Sequence, residues 1–448
     1  MPLIALIALF VSLPLSAQPL DLETGVRAAL ERSPELRGAR AQGAGARAGM
    51  LEASLLRLPR LSARGSWTRS DDPLFAFGAL LQQRSVTSPD FDPARVNRPG
   101  YRTDILGSLE AGMPLFTGFE LSDARRLGEL GVRQAEAGGD GLAQKLRYDA
   151  AEAWLKVLLE RRTLEAVRSH AESAAKELEN ADRLRQKGLV LGADYYAAAG
   201  VLEGLRAWVT RLEAELEGAR ARLRTLTGLS EDPPASARLS EAAYPLPAAE
   251  ELAASAVERR GDLKAAALQE RSAEVGRRMA DFSTLPRVDA FAALQLHSKD
   301  LAAAPSDRMV GVRMNVPFGD ASWLARREGA RARLDETRAR REALVDAARL
   351  EALQAHAAYA GVVGSLPRVR DMLERSRKSL ELFRPLYREG RQSVLEALRA
   401  EEATARAEAA LAETLYGLHA GWAGVRLAAG TFDEDAVRTI AARLQEKP

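Results

Sequence analysis

Apolar residues recur along this chain with two different periods, and each period dictates a different backbone. From residue 146 the positions Leu146, Ala150, Ala153, Val157, Leu164, Val167, Ala171, Ala174, Leu178 and Ala181 lie three and four apart, with one miss at Glu160. The pattern resumes after Gly188 as Ala198, Leu202, Leu205, Val209, Leu212, Leu216, Ala219, Leu223 and Leu226. A mean spacing of 3.5 held over several heptads predicts helices that supercoil on partners. Small Ala at many of these positions lets a helix approach more than one neighbour closely. A rougher version follows later, with Leu366, Val369, Leu373, Leu380, Phe383 and Tyr387 before Gly390, then Leu411, Leu415, Leu418, Trp422 and Val425. Pro367 and Pro385 predict a kink or a break in that stretch. Helices are expected at about 120–187, 194–228, 321–388 and 393–429; the first would be on the order of 100 Å long at about 1.5 Å per residue.

Elsewhere the period is two. Leu61, Ala63, Gly65 and Trp67 alternate with Arg60, Ser62, Arg64, Ser66 and Thr68. Ile105, Gly107, Leu109, Ala111 and Met113 alternate with Asp104, Ser108, Glu110 and Gly112, Leu106 being the exception. Val288 to Leu296 repeats the alternation with Phe291 and Ala293 blurring its polar side, and Val310, Val312, Met314, Val316 and Phe318 alternate with Gly311, Arg313 and Asn315. Four strands follow, at about 59–70, 103–115, 286–298 and 308–318. A tilted strand of this length crosses a bilayer, and a charged alternate face suits a wet lumen; a soluble sheet with one solvated face gives the same alternation. In a bilayer four strands cannot close a barrel, so closure would have to be shared between chains.

The elements occur twice. Ser33-Pro34-Glu35-Leu36 is echoed by Arg260-Gly261-Asp262-Leu263, and Leu58-Pro59-Arg60 by Leu285-Pro286-Arg287; later Pro114-Leu115-Phe116 answers Pro317-Phe318, and Gly188 with Asp194 answers Gly390 with Glu396. The offset drops between the two sets, so the first copy carries a single insertion of about 24 residues, expected as a polar loop around Asp71 to Gly100. The organisation is then a first repeat at 18–228, a linking segment at 229–247, a second repeat at 248–430 and a tail at 431–448.

The first 17 residues form a short apolar run ending in small residues, which predicts an export signal cleaved near Ala17; a buried N-terminal helix is the alternative. No other stretch reaches 18 consecutive apolar residues, so any bilayer crossing is by strands. Lys and Arg total 64 against 62 Asp and Glu, a balance that gathers no nucleic acid. Cysteine is absent and the four histidines are scattered, which removes thiol chemistry and histidine-rich metal sites. Gly43 to Gly49 lies in an Ala-rich helical run rather than after a strand, and no phosphate-binding G-x-x-x-x-G-K-[ST] occurs. His419 is a packing or surface residue, and the Asp433/Asp435 pair has no implied pocket. No catalytic constellation, cofactor site or metal site is expected.

Duplication, the Ser-Pro-Glu-Leu helix start, Leu-Pro-Arg entering a strand, Pro114-Leu115-Phe116-Thr117-Gly118 leaving one, and the Gly188 and Gly390 turns together resemble the TolC-type outer-membrane efflux proteins. The resemblance spans nearly all of the chain after the export signal. It implies a mainly helical protein with a membrane β part: a homotrimer whose twelve strands form a barrel in the outer membrane, continued by a helical barrel in the periplasm. It also implies as partners a periplasmic adaptor and an inner-membrane pump, the pump choosing the cargo. Gly188 and Asp194, with Tyr387, Gly390 and Glu396, would form the closable periplasmic tip and adaptor contact. Arg399 stands one turn on, where relatives can carry a second acid, against a constriction of two acidic rings. Arg60, Arg64, Asp104, Glu110, Asp289 and Arg313 would line the barrel lumen, tuning ion preference or simply wetting it. A periplasmic coiled-coil scaffold with a soluble sheet is the competing reading.

Overall fold

A computed structural model describes residues 20–241, 243–300, 304–317, 320–388 and 391–444. The expected export signal, Phe318 and Gly390 lie outside the described residues. In chain order the elements are α1 (Leu22–Arg32), α2 (Pro34–Leu55), β1 (Arg60–Ser70), α3 (Pro73–Gln82), α4 (Pro93–Asn97), β2 (Arg102–Phe116), α5 (Glu120–Gln186) and α6 (Gly192–Thr227). The second set is α7 (Ala249–Arg259), α8 (Gly261–Asp281), β3 (Arg287–Ser298), β4 (Ser306–Asn315), α9 (Ser322–Arg388) and α10 (Val394–Ala428), followed by α11 (Glu434–Leu444). Apart from α3 and α4, the first set and the second match element for element. Two compact units result, one from residues 1–40, 137–264 and 342–448, the other from 41–136 and 265–341.

The first unit is helical. Seam residues Leu146, Ala150, Ala153, Val157, Leu164, Val167, Ala171, Ala174 and Ala181 of α5 are all buried, as are Ala198, Leu202, Leu205, Leu212, Leu216, Ala219 and Leu223 of α6. Each fully buried Leu or Val contributes about 1.5–3 kcal/mol. The missed heptad position, Glu160, is buried too, and its carboxylate is held by Lys156 Nζ one turn earlier at 2.7 Å. Around Ala150 to Leu159 the helix is buried on nearly all sides, because α1, α11 and the 229–247 segment pack there. Trp154 Nε1 donates to Leu20 O at 2.8 Å, and Arg161 donates to the carbonyls of Pro233, Pro234 and Ala237, satisfying backbone acceptors of the irregular segment.

Three expectations need correction. Of the kink or break expected at Pro367 and Pro385, the break does not occur: α9 is continuous through both, each Pro removing one backbone donor while neighbouring Leu366, Leu373 and Leu380 remain buried to hold the helix in place. Residues expected as a tail contain α11, whose Ala436, Val437, Ile440 and Leu444 enter the core with Phe432, while Asp433 caps the helix through the Ala436 amide at 2.9 Å. The 71–100 insertion is not an extended polar loop: Asp72 and Asp92 cap the Pro-initiated helices α3 and α4, and a 3-10 turn at Ser88–Phe91 lies between them. His419 is a packing residue. It is fully buried, burial holds its pKa down to about 4, and the neutral ring donates from Nε2 to Ser240 O while Nδ1 accepts from Tyr244 Oη at 2.6 Å.

The second unit contains one antiparallel sheet in the order β1-β2-β3-β4. Register follows period two across every pair: Arg64 faces Ser108, Ser108 faces Gln295, and Gln295 faces Asp307. β4 ends at Asn315, short of the Phe318 expected, just before Pro317, which cannot donate to a ladder. Phe291, the aromatic on the polar side, sits over Gly311 of β4, where a Cβ would come within 2.9 Å of its ring, and under the Arg313 guanidinium at 4.9 Å. The glycine makes room for the ring and the arginine covers it.

Candidate functional site: the strand face and the helix turns

The sheet sorts its side chains by parity. Arg60, Arg64, Asp104, Glu110, Asp289 and Arg313 all fall on one face, together with Ser62, Ser66, Thr68, Ser108, Gln295 and Asp307. The other face carries Leu61, Trp67, Ile105, Leu109, Met113, Leu294, Val310, Val312 and Met314. It is uncovered: Trp67 is 66% exposed and Val310 81%. An apolar face of this extent does not stay in water. Both outer strands, β1 and β4, leave one edge of backbone donors and acceptors without a strand partner among the described residues.

Asp104 and His297, both of the polar parity, are buried. His297 Nδ1 lies 2.9 Å from Asp104 Oδ2, and Gln83 Nε2, at the end of α3, donates to Asp104 Oδ1 at 2.9 Å. Part of the insertion therefore covers the polar face at the end of the sheet away from α2 and the start of α5.

At the first helix turn, Gly188 takes φ +78°, and the Gly188 and Leu189 amides donate back to the carbonyls of Arg185 and Leu184 at 2.9 Å each. This is a Schellman-type stop that only glycine enters without strain. Arg185, held by Asp182 at 2.7 Å, lies over the Tyr195 ring at 4.9 Å and so ties the end of α5 to the start of α6. Asp194 stands in the first turn of α6, where the helix dipole favours an acid. Leu189 and Leu191 are each 72% exposed, an apolar tip. Gly188→Ala is expected to cost about 1–2 kcal/mol through the left-handed backbone, read as faster amide exchange at Leu184 to Asp194 with the rest of α5 unchanged.

At the second turn, Ser393 Oγ accepts from the Leu395 amide at 3.1 Å and caps α10. Glu396 is half-exposed and paired with Arg399 at 2.9 Å, so its charge is offset within its own helix. Tyr387 is buried and its hydroxyl donates to Glu177 O of α5 at 3.4 Å, which joins α9 to α5; burial pushes its phenol pKa up.

Above these turns lies a cluster that the sequence reading missed. Glu401 of α10 is 1% exposed. It accepts from His170 Nδ1 of α5 at 2.7 Å and from Arg384 Nη2 of α9 at 2.5 Å. His170 Nε2 lies 3.5 Å from Glu408, which also accepts from Arg377 at 2.7 Å. Burial would lower the His170 pKa, but hydrogen bonds to two carboxylates outweigh it and hold the imidazole protonated to about pH 9. Chiefly through its bond to His170, Glu408 falls to about 2. One α10 seam runs Val394, Ala397, Glu401, Thr404, Glu408, Leu411, Leu415, Leu418, Trp422, Val425, so three polar residues interrupting a heptad were the available signal.

Among the described residues no helix is long and apolar enough to cross a membrane, and no group of three or more acidic or His residues is placed to hold a metal. A two-faced strand sheet joined in duplicate to long paired helices is the fold of outer-membrane channels. The chain belongs to the outer membrane efflux protein family, whose model matches residues 25–229 and 252–431. No curated protein sequence matches it. Similar solved structures include the CmeC outer membrane channel of Campylobacter jejuni, at TM-score 0.78 and 15% identity over 96% of this chain and 90% of that one. The outer membrane protein VceC of Vibrio cholerae matches at TM-score 0.77 and 17% identity, over 92% and 97% of the two chains. The open state of the MtrE channel of Neisseria gonorrhoeae matches at TM-score 0.75 and 18% identity, over 92% and 89%.

Proposed function

We propose that this chain is one protomer of a passive outer-membrane exit duct, exported to the outer membrane and extending into the periplasm. The observation that carries the reading is the sheet with an uncovered apolar face and two open edges. In hydrocarbon each unpaired backbone group costs several kcal/mol, so four strands are stable there only when other copies complete the wall. Three copies supply twelve strands. The paired helices then line the periplasmic part of the duct, and the turns at 187–194 and 389–396 are where an adaptor and an inner-membrane pump bind and favour an open arrangement. With no catalytic group involved, the partner supplies energy and selects cargo.

Outer-membrane fractionation, unheated gel electrophoresis and mass determination in detergent test this together. A heat-sensitive trimer in the outer-membrane fraction is the expected result. A soluble periplasmic monomer or dimer would leave an ordinary half-buried sheet and a coiled-coil scaffold.

Glu396→Ala in all chains is expected to change single-channel conductance and to shift ion preference away from cations, since it leaves Arg399 unpaired near the tip. Planar-bilayer recording of the purified protein checks it, and unchanged conductance and selectivity would make Glu396 a solvated surface charge.

A further inference from the structure

The insertion absent from the second repeat holds positive charge that the rest of the fold does not use. Helix α3 packs beside β2, with Ala76, Ala79 and Leu80 buried and Gln83 Nε2 donating to Thr103 O at 2.8 Å. Between α3 and the segment returning to β2 lies a cavity of about 260 Å³. Its floor is apolar, made by Ala76, Leu80 and Val96 with Phe77, whose ring is braced edge-on against Phe91 at 5.8 Å. Arg95, Arg98 and Arg102 stand around it, opposed by one acid, Asp90.

That acid is already engaged. Asp90 Oδ2 accepts from the Thr87 amide at 2.8 Å and the Thr87 hydroxyl at 2.6 Å, and its Oδ1 is 3.7 Å from Arg102. The guanidinium groups of Arg95 and Arg98 have neither a hydrogen bond nor an ion pair among the described residues. Two guanidinium forks without a hydrogen-bond partner, Arg95 attracted only at longer range by Asp90, beside an apolar floor match an oxyanion carried on a small apolar body. The volume is just below the range of about 300–1,000 Å³ typical for drug-sized ligands, so the body is the size of one or two rings.

We propose that this cavity binds small organic anions, an aromatic or alicyclic body bearing a sulfonate, carboxylate or phosphate. Arg102 lies on the polar parity of β2, and the cavity sits at the end of the sheet where β1 leaves and β2 enters. The proposal rests on the sheet being the wall of a barrel; the site then stands at the exit mouth, on the lumen side, as a final contact before release.

The test is isothermal titration of the full chain in lipid nanodiscs with 2-naphthalenesulfonate. Arg95→Gln/Arg98→Gln is expected to weaken binding at least about tenfold, and Arg95→Lys/Arg98→Lys to weaken it less, by about threefold, because the charge is kept while the bidentate fork is lost. 2-Naphthylmethylammonium and inorganic sulfate, each at least about tenfold weaker, would establish that both head charge and apolar body are read. Equal affinity in wild type and the Gln variant, a cation bound as tightly as the sulfonate, or sulfate bound as tightly as naphthalenesulfonate, each overturns it. Neither arginine holds another residue, so the Gln variant keeps the fold, verified by its trimer on unheated gels. Unheated electrophoresis of the same preparations separates the two readings: a heat-sensitive trimer that does not bind refutes the site, and a protein that binds without forming the trimer refutes the duct.

Discussion

Val312→Arg is expected to abolish the heat-sensitive assembly in the outer membrane, while Met309→Arg, three residues earlier on the opposite face, leaves it intact. Val312 is paired with Ala290 on the uncovered apolar face; Met309 is paired with Ala293 on the face that carries Arg60 and Glu110. An arginine facing lipid near the bilayer centre costs about 2–4 kcal/mol, against about zero in a wet lumen. In a trimer the cost is incurred three times. Fractionation and unheated electrophoresis of the two variants check it, and equal assembly of both would mean that neither face of the sheet meets lipid.

Glu401→Ala is expected to destabilise the helical unit by about 3–5 kcal/mol, because it removes two charge-assisted hydrogen bonds, from His170 and from Arg384, each contributing about 1.5–3 kcal/mol. His170→Ala removes a charged hydrogen bond and should cost less, about 1.5–3 kcal/mol. The pH dependence has a definite sign. The His170 pKa is raised from 6.5 to about 9, so its contribution is complete below pH 6.5 and fades as pH rises to 9. The Glu408 pKa is lowered from 4.5 to about 2, so its contribution is complete above pH 4.5 and fades as pH falls to 2. The cluster is therefore strongest between pH 4.5 and 6.5. The difference in thermal midpoint between wild type and His170→Ala should be largest there and small at pH 9.5. A difference independent of pH would mean that His170 only fills space.

Four strands and two pairs of long helices were legible because backbone geometry alone sets their periods. Parity assigns each strand residue a face, so Arg60, Arg64, Asp104, Glu110, Asp289 and Arg313 share one without any knowledge of what covers it. The ionic cluster was not legible for two reasons. Its polar seam positions read as gaps in an apolar pattern rather than as a pattern of their own, and His170 lies 231 residues from Glu401 in sequence. Helix α3 was hidden because ten residues between turn-forming Asp-Pro and Gln-Arg segments carry too few turns to show a period. Pro367 and Pro385 do not break the helix because a local penalty of about 3 kcal/mol per proline is small against the packing of a 67-residue helix.

The insertion sits in only one of two otherwise matched strand pairs. Around a closed ring of three chains, decorated hairpins would alternate with bare ones, so a six-membered scaffold carries three-membered chemistry at its rim. In such a ring the bare hairpins would complete the wall and the decorated ones would carry whatever the insertion adds.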